Sequence, residues 1–144
     1  MNDPFDLRRF IDAQDPVIAE VRAELQRGRK TSHWMWFVFP QPRGLGASAM
    51  SRRYAIASRE EAAAYLAHPV LGPRLRDCTA LLLGIEGRSA HDIFGSPDDM
   101  KLKSCATLFA CVSPEGSVFH RLLDQYYQGR RDEKTLRLIG RDAN

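Results

Sequence analysis

The sequence predicts an all-α fold: a compact single domain of about eight short to medium helices that spans residues 1–144. Three observations favour this class. Apolar residues recur at positions i, i+3 and i+4 in several stretches, which is the spacing of one helix face. A Ser or Asp residue, often followed by Pro or by acidic residues, precedes most of these stretches, as at helix starts. No segment shows the strict alternation of a half-buried strand.

The first two helices are each introduced by an Asp-Pro pair. Asp3-Pro4 and Asp15-Pro16 place a capping side chain before Pro at the first helical position. We therefore expect a short first helix and a second helix from about residue 16 to residue 27. Gly28 follows Arg27 and is a plausible C-terminal stop.

Residues 30–48 form the most unusual stretch of the chain and contain both tryptophans. Ser32 is a candidate cap for a helix over residues 33–39, which we call the aromatic segment. This segment is apolar on all sides and is therefore buried if helical. A strand is the competing interpretation, and Pro40 ends either element. Residues 41–56 contain two prolines and two glycines and predict an ordered loop with one helical turn near residues 48–52.

The rest of the chain contains further helices, most of them introduced by Ser or Asp. The strongest start is Ser96-Pro97-Asp98-Asp99, which offers a cap, Pro at the first position and two carboxylates near the positive helix end. The predicted elements run from Ser58 to Pro69, from about Val70 to Leu83, from Ser89 to Gly95 as a short turn, from Ser96 to about Val112, from Ser113 to Gly129, and around Leu136, fraying toward Asn144.

Charge and hydropathy limit the functional classes. The 21 basic and 18 acidic residues give a net charge of +3, which permits a polyanionic partner without indicating one. The longest apolar runs are far shorter than the ~20 residues of a transmembrane helix. The acidic N-terminus, residues 1–6, is unlike a signal peptide. We expect a cytoplasmic protein that does not enter a membrane.

The cysteines and histidines do not show metal-binding spacing. Cys78, Cys105 and Cys111 are odd in number, contain no Cys-x-x-Cys pair and are best interpreted as apolar core residues. The four histidines are scattered singly. We expect no metal and no cofactor, and a monomer or weak homodimer.

The aromatic segment, the loop after it and the start of the Ser96 helix hold the candidate functional residues. His33 and Asp98 are candidates for proton transfer. The expected ligand-binding residues are Trp34, Trp36, Gln41, Arg43, Gly44, Gly46, Ser48, Lys101 and Ser104. Together they predict binding of a small anionic ligand, similar to a nucleotide or sugar phosphate. Hydrolysis of a glycosidic bond is a further hypothesis, since a carboxylate can stabilise oxocarbenium charge.

Simpler interpretations stand beside this one. Asp98 can serve only as a helix-start charge, and the loop glycines can serve only to permit positive φ. Arg27, Arg29, Lys30 and the basic tail over residues 130–141 suggest a protein- or nucleic-acid-interaction module. In a third interpretation the aromatic segment is core and nothing more.

Five motifs carry a resemblance to a known family. They are KTSHWMWFVFPQ at 30–41, GLGxS at 44–48, YAI at 54–56, YLxHPVLGxRL at 65–75 and IFGxxDxxKLxSxxTLF at 93–109. The chain resembles, to about Gly129, the bacterial family known as domain of unknown function 1810. The resemblance implies a compact, mostly helical cytosolic domain and transfers no catalytic residue. Some members carry a calpastatin label, which nothing in this sequence supports.

A more distant resemblance is to the helical N-glycosidases that act on ADP-ribose-linked or riboflavin-pathway ribosides. It lies in chain size, helical content and a pocket rich in Trp, Gly and Asp. The glutamate-histidine signature of those enzymes is not matched in recognisable form. The resemblance therefore implies glycosidic cleavage only as a hypothesis.

Overall fold

The chain forms ten helices in the part that the computed structural model describes, residues 3–140. They are α1 (Arg8–Gln14), α2 (Ile18–Arg27), α3 (Met35–Val38), α4 (Ala49–Arg53), α5 (Arg59–Ala67), α6 (Leu71–Leu83), α7 (Ala90–Phe94), α8 (Asp98–Ala110), α9 (Val118–Tyr127) and α10 (Glu133–Leu138). The all-α prediction is confirmed. The count exceeds eight because the turns predicted at α4 and α7 are short helices. Residues 3–140 contain an isolated bridge, Pro42 to Ile56, and no strand.

The core is built around α8. Eight of its 13 residues are buried, and it packs against α5, α7, α9 and α10. A second long helix, α6, packs against α2, α5 and α9. Because α8 is enclosed on most sides, its more exposed first turn is the part that reaches the surface. No helix within residues 3–140 is long and apolar enough to cross a membrane.

Several predicted caps are present. Ser58 Oγ accepts a hydrogen bond from the Glu61 backbone N–H (3.1 Å) at the start of α5. Glu61 itself accepts from the N–H of Ala57, so the capping box is incomplete there. Ser89 and Asp92 form the complete, reciprocal box at α7. Short polar side chains thus satisfy backbone groups that the first helical turn leaves free.

Several predicted helix starts are wrong. Helix α2 begins at Ile18 after Val17, and neither Asp15 nor any other side chain caps it. Pro97, in a cis peptide with Ser96, occupies the N-cap position of α8, and no side chain caps this helix. Backbone carbonyls close the first turn instead, since Gly95 O accepts from Asp99 N (2.9 Å). The helix predicted from Ser113 begins at Val118 and is capped by Ser117. The Ser113 hydroxyl donates back to Phe109 O at the end of α8.

The first and third helices are shorter than predicted. Asp3 accepts from the N–H groups of Leu7 (2.8 Å) and Arg8 (3.1 Å), but α1 begins only at Arg8. The aromatic segment is helical only over Met35–Val38. The helix predicted around Leu136 is confirmed as α10, and its predicted fraying toward Asn144 lies outside the described residues.

Candidate functional site

The aromatic segment lies mostly inside the core. Trp34 is 1% exposed, and its ring packs edge-on against Phe94 and tilted against Phe39. Trp36, two residues later and inside α3, is only half-buried. Of the two tryptophans predicted to bind ligand, Trp36 is therefore the one that offers ring surface to a molecule in solvent.

A buried glutamate fixes the chain that leads into the aromatic segment. Glu24 on α2 is 0% exposed. Its carboxylate accepts hydrogen bonds from the N–H groups of Thr31 (2.8 Å) and Ser32 (3.1 Å), from the Ser32 hydroxyl, and from Trp34 Nε1 (2.9 Å). Four donors converge on two oxygen atoms, so the path of residues 31–34 is set by one side chain.

The same contacts determine the charge of Glu24. Burial by itself raises the pKa of this carboxyl, because the ionised form loses water. The hydrogen bonds from Ser32, Thr31 and Trp34 favour the ionised form more strongly and lower the pKa to about 2. Glu24 is therefore a carboxylate at neutral pH, although no solvent reaches it.

Two lysines meet one aspartate where the aromatic segment approaches α8. Lys30 Nζ lies 2.9 Å from Asp98 Oδ2 and donates to the Ser32 carbonyl oxygen at 2.6 Å. Lys101 Nζ lies 3.6 Å from Asp98 Oδ1. We call Lys30, Asp98 and Lys101 the lysine–aspartate cluster. The Lys30 side chain is 7% exposed, against 19% for Asp98 and 24% for Lys101, so Lys101 is the member most open to solvent.

Both ammonium groups also lie over indole rings. Lys30 Nζ is 5.0 Å from the ring centroid of Trp34, and Lys101 Nζ is 5.5 Å from that of Trp36. Each distance is within the range of a cation–π contact. The contacts bring Trp36, Asp98 and Lys101, three of the predicted site residues, to one place.

Helix α10 connects this region with the glycine loop, residues 44–48. Ser104, one turn beyond Lys101 on α8, lies 3.4 Å from Asp132 Oδ2 at the start of α10. At the other end of α10, Leu138 is so close that a Cβ on Gly44 would lie 3.0 Å from it. Gly44 also has a φ of +105°, which favours glycine. Ser104 and Gly44 therefore flank opposite ends of the same short helix.

The remaining loop residues have local structural roles. Gln41 O accepts from Ile56 N and Arg43 N donates to Ile56 O, both at 2.9 Å, which ties the two ends of the loop together. Ser48 caps α4 through the Ser51 N–H (3.1 Å). A Cβ on Gly46 would lie 2.4 Å from Ser51 Oγ, so this glycine allows the chain to pass the cap.

Two predicted site residues, Arg43 and His33, form no contact with the lysine–aspartate cluster among the contacts described above. Arg43 lines a cavity formed by residues 4–6, which we call the N-terminal segment, together with α1 and α4. His33 is exposed on the chain between Ser32 and Trp34. Arg27 and Arg29, predicted to meet an interaction partner, are also exposed, whereas Lys30 is committed to the lysine–aspartate cluster.

Comparisons with known proteins agree with this fold. A family model described as a protein of unknown function (DUF1810) matches residues 4–139. The chain belongs to the DUF1810 family. It is also similar to the crystal structure of the conserved hypothetical protein Rv1873 from Mycobacterium tuberculosis, with 55% sequence identity and a TM-score of 0.93 over 95% of this chain and 98% of that chain. No curated protein matches the chain.

The family match and the similar crystal structure establish the family and the fold, but they assign no reaction. The candidate site residues must therefore be argued from their contacts. Sequence reasoning missed Glu24 in this DUF1810 chain. A signal was present, because Glu24 falls between Val21 and Leu25 on the apolar stripe of α2, where a charged residue needs buried partners. The sequence places Lys30 in a basic patch, and its pairing with Asp98, 68 positions later, leaves no local pattern.

Proposed function

We propose that this protein binds a small anionic ligand, similar to a nucleotide or sugar phosphate, at the surface between α3, the first turn of α8 and the glycine loop. One observation carries the proposal: the Lys101 ammonium group lies between the Asp98 carboxylate and the half-buried ring of Trp36. An ammonium group can donate hydrogen bonds to phosphate oxygens, and a partly exposed aromatic ring offers apolar surface to the rest of a ligand.

Lys101 is the cation best suited to meet the ligand. Lys30 forms the shorter ion pair, so its charge is already balanced by Asp98, and its side chain is too enclosed to meet a ligand. Lys101 is more exposed, and its contact with Asp98 is 0.7 Å longer than the 2.9 Å of Lys30. An ammonium group has three donors, and this contact leaves donors available for an anionic oxygen.

The candidate chemistry is hydrolysis of a glycosidic bond. Asp98 is held between two ammonium groups. Its carboxylate would stabilise the positive charge that develops on the sugar ring as the bond between the anomeric carbon and its leaving group breaks. Water would supply a hydroxyl group to that carbon and a proton to the leaving group. His33, exposed next to Trp34, is the candidate to transfer this proton, and Gln41 and Ser48 are candidates to orient the ligand.

Ligand binding can be tested with two matched lysine variants. Nucleotides, ADP-ribose and sugar phosphates are screened by thermal shift, and hits are measured by calorimetry. We expect Lys101→Gln to weaken the association constant of a hit about tenfold, because one charged hydrogen bond is lost. Lys103→Gln, two positions along α8 and thus on nearly the opposite face, should bind as the wild type does.

The test distinguishes the site from the fold. Circular dichroism verifies that both variants are folded. Equal affinity of Lys101→Gln, His33→Ala and the wild type for the same hit would show that this surface is not the binding site. If the hit is a riboside, release of its base should stop in Asp98→Asn while binding persists.

An interaction module is less well supported. Trp34 is buried and cannot stack on a base, and Lys30 is held by Asp98. Arg27, Arg29 and the described part of the basic tail, residues 130–140, remain available for such a role. Binding to an oligonucleotide that weakens steeply with salt would favour this alternative.

A further inference from the structure

A cavity of about 530 Å³ on the side of the molecule formed by the N-terminal segment, α1 and α4 is lined by four arginines. These are Arg9, Arg43, Arg52 and Arg53, and the carboxylates of Asp6 and Glu61 lie on the same wall. Arg43, which lies in the loop after the aromatic segment, is also part of the cavity wall. It is not formed by any member of the lysine–aspartate cluster.

Arg9 builds the wall of this cavity and has no donor left for a ligand. Its guanidinium donates to the carbonyl oxygens of four residues and to Glu61 Oε2 (2.9 Å). The four carbonyl acceptors are Arg53 (2.8 Å), Phe5 (2.6 Å), Asp6 (2.8 Å) and Ala55 (2.9 Å). A guanidinium carries five N–H groups, and all five are used. Arg9 thus holds the N-terminal segment, the end of α4 and α5 together.

The negative charge of Glu61 is used in the same network. One oxygen accepts from Arg9 and the other accepts from the N–H of Ala57 at 2.9 Å, and the side chain is 4% exposed. The mostly buried pair of Arg9 and Glu61 is therefore neutral as a unit. It contributes shape to the cavity and no net charge.

Three guanidinium groups remain to meet a ligand. The side chains of Arg43, Arg52 and Arg53 are exposed, and none forms a hydrogen bond or ion pair with another residue within 3–140. Arg53 lies over the ring of Tyr54, with Cζ 5.6 Å from its centroid. Asp6 is the one carboxylate of the cavity wall outside the Arg9 network, so positive charge is in excess.

We propose that this cavity binds a small molecule through a diphosphate group. Guanidinium groups pair with phosphate oxygens through two parallel hydrogen bonds, and several of them suit a ligand with several negative charges. The volume is in the range of small-ligand pockets. A long nucleic acid needs an extended basic groove, whereas these arginines converge on one concavity. This site is independent of the function proposed for Lys101 and Asp98.

Inorganic pyrophosphate is the probe for calorimetry with the full chain at low salt. We expect wild-type binding, and we expect Arg43→Gln and Arg52→Gln each to reduce the association constant about tenfold. Arg121→Gln is the matched control, since it removes the same charge from α9 and does not line the cavity. Lys101→Gln should also bind pyrophosphate as the wild type does.

Each remaining outcome overturns the proposal. Absence of pyrophosphate binding to the wild type does so, as does an affinity of both cavity variants equal to that of Arg121→Gln. Binding of a single-stranded oligonucleotide in place of pyrophosphate would show that the arginines serve a polymer. Loss of binding in Lys101→Gln alone would place the anion at the lysine–aspartate cluster. The two test residues are exposed, so the variants are expected to fold, which circular dichroism verifies.

Discussion

Two buried charged side chains fix the entrance to the aromatic segment. Glu24 on α2 accepts hydrogen bonds from the backbone N–H groups of residues 31 and 32. Lys30 donates to the Ser32 carbonyl oxygen and pairs with Asp98 on α8. Buried charges are tolerated when they are paired and hydrogen-bonded. These two residues therefore determine where Trp34 and Trp36 lie relative to α8.

Substitution of Glu24 by Gln should lower the free energy of unfolding by about 2 kcal/mol at pH 7. The amide keeps one oxygen acceptor for the three N–H donors on Oε1, but the charge that strengthens those hydrogen bonds is lost. Its NH₂ group, in the Oε2 position, then faces the Ser32 hydroxyl, which donates to that atom in the wild type. Urea unfolding measures the loss. Glu20→Gln on the same helix is the control, because Glu20 is exposed and its ion pair with Arg27 is long, at 3.8 Å. Equal stability of the two variants would contradict the role of Glu24.

The effect of Glu24 on stability should depend on pH. Its pKa is lowered to about 2 in the folded protein from an ordinary value of 4.5, so folding favours the ionised form. This contribution is present above pH 4.5 and is lost as the pH falls toward 2. The difference between wild type and Glu24→Gln should therefore narrow over that window. A constant difference in urea midpoints from pH 6 to pH 2.5 would show that Glu24 does not titrate in this way.

Helix starts were predictable where the capping side chain and its partner are three residues apart. Ser58 and Ser89 cap as predicted, and Ser48 and Asp132 cap the helical turns predicted near them. Ser117 caps α9 in the same way, although the cap was predicted at Ser113. The pattern at Ser96 is equally strong but fails, because Pro97 takes the N-cap position and backbone carbonyls close the turn. Local spacing does not determine how the chain enters a helix whose position is set by packing.

The contact between α5 and α6 depends on a glycine. A Cβ on Gly72 would lie 2.1 Å from the carbonyl oxygen of Leu66, which is backbone and cannot rotate away. Gly72→Ala should therefore separate the two helices and cost about 3 kcal/mol. This corresponds to a fall in Tm of roughly 10 °C for a chain of this size. Thermal unfolding followed by circular dichroism measures it.

Gly84 provides the control for this prediction. It has a φ of −81°, which alanine adopts readily, and a Cβ there would meet only Leu81 O at 3.5 Å. Gly84→Ala should leave Tm unchanged or raise it slightly, since it restricts the unfolded chain. Similar losses in both variants would contradict the role of the close approach at Gly72, because Gly84 has no such contact.

At the scale of the whole molecule, the fold class was predictable, and the arrangement of the residues of the candidate site was predictable only in part. The helical spacing of apolar residues and the residues typical of helix starts and ends are local signals, and they indicated the helices in chain order. The meeting of α3 with the first turn of α8 was proposed from the chemistry of Trp36, Asp98 and Lys101, and their contacts agree with it. The arginine cavity was not predicted, since Arg9, Arg43 and Arg52 are distant in sequence and look like ordinary surface charges.

The single core makes a prediction about cooperativity. One hydrophobic cluster contains residues from most of the helices, including Phe10 of α1, Leu82 of α6 and Phe109 of α8. Residues that share a core lose their packing together, so we expect one two-state transition in urea. Both tryptophans lie in the aromatic segment, so fluorescence reports that segment, while far-UV circular dichroism reports all helices. The two midpoints should coincide, and an earlier fluorescence transition would show that the aromatic segment unfolds on its own.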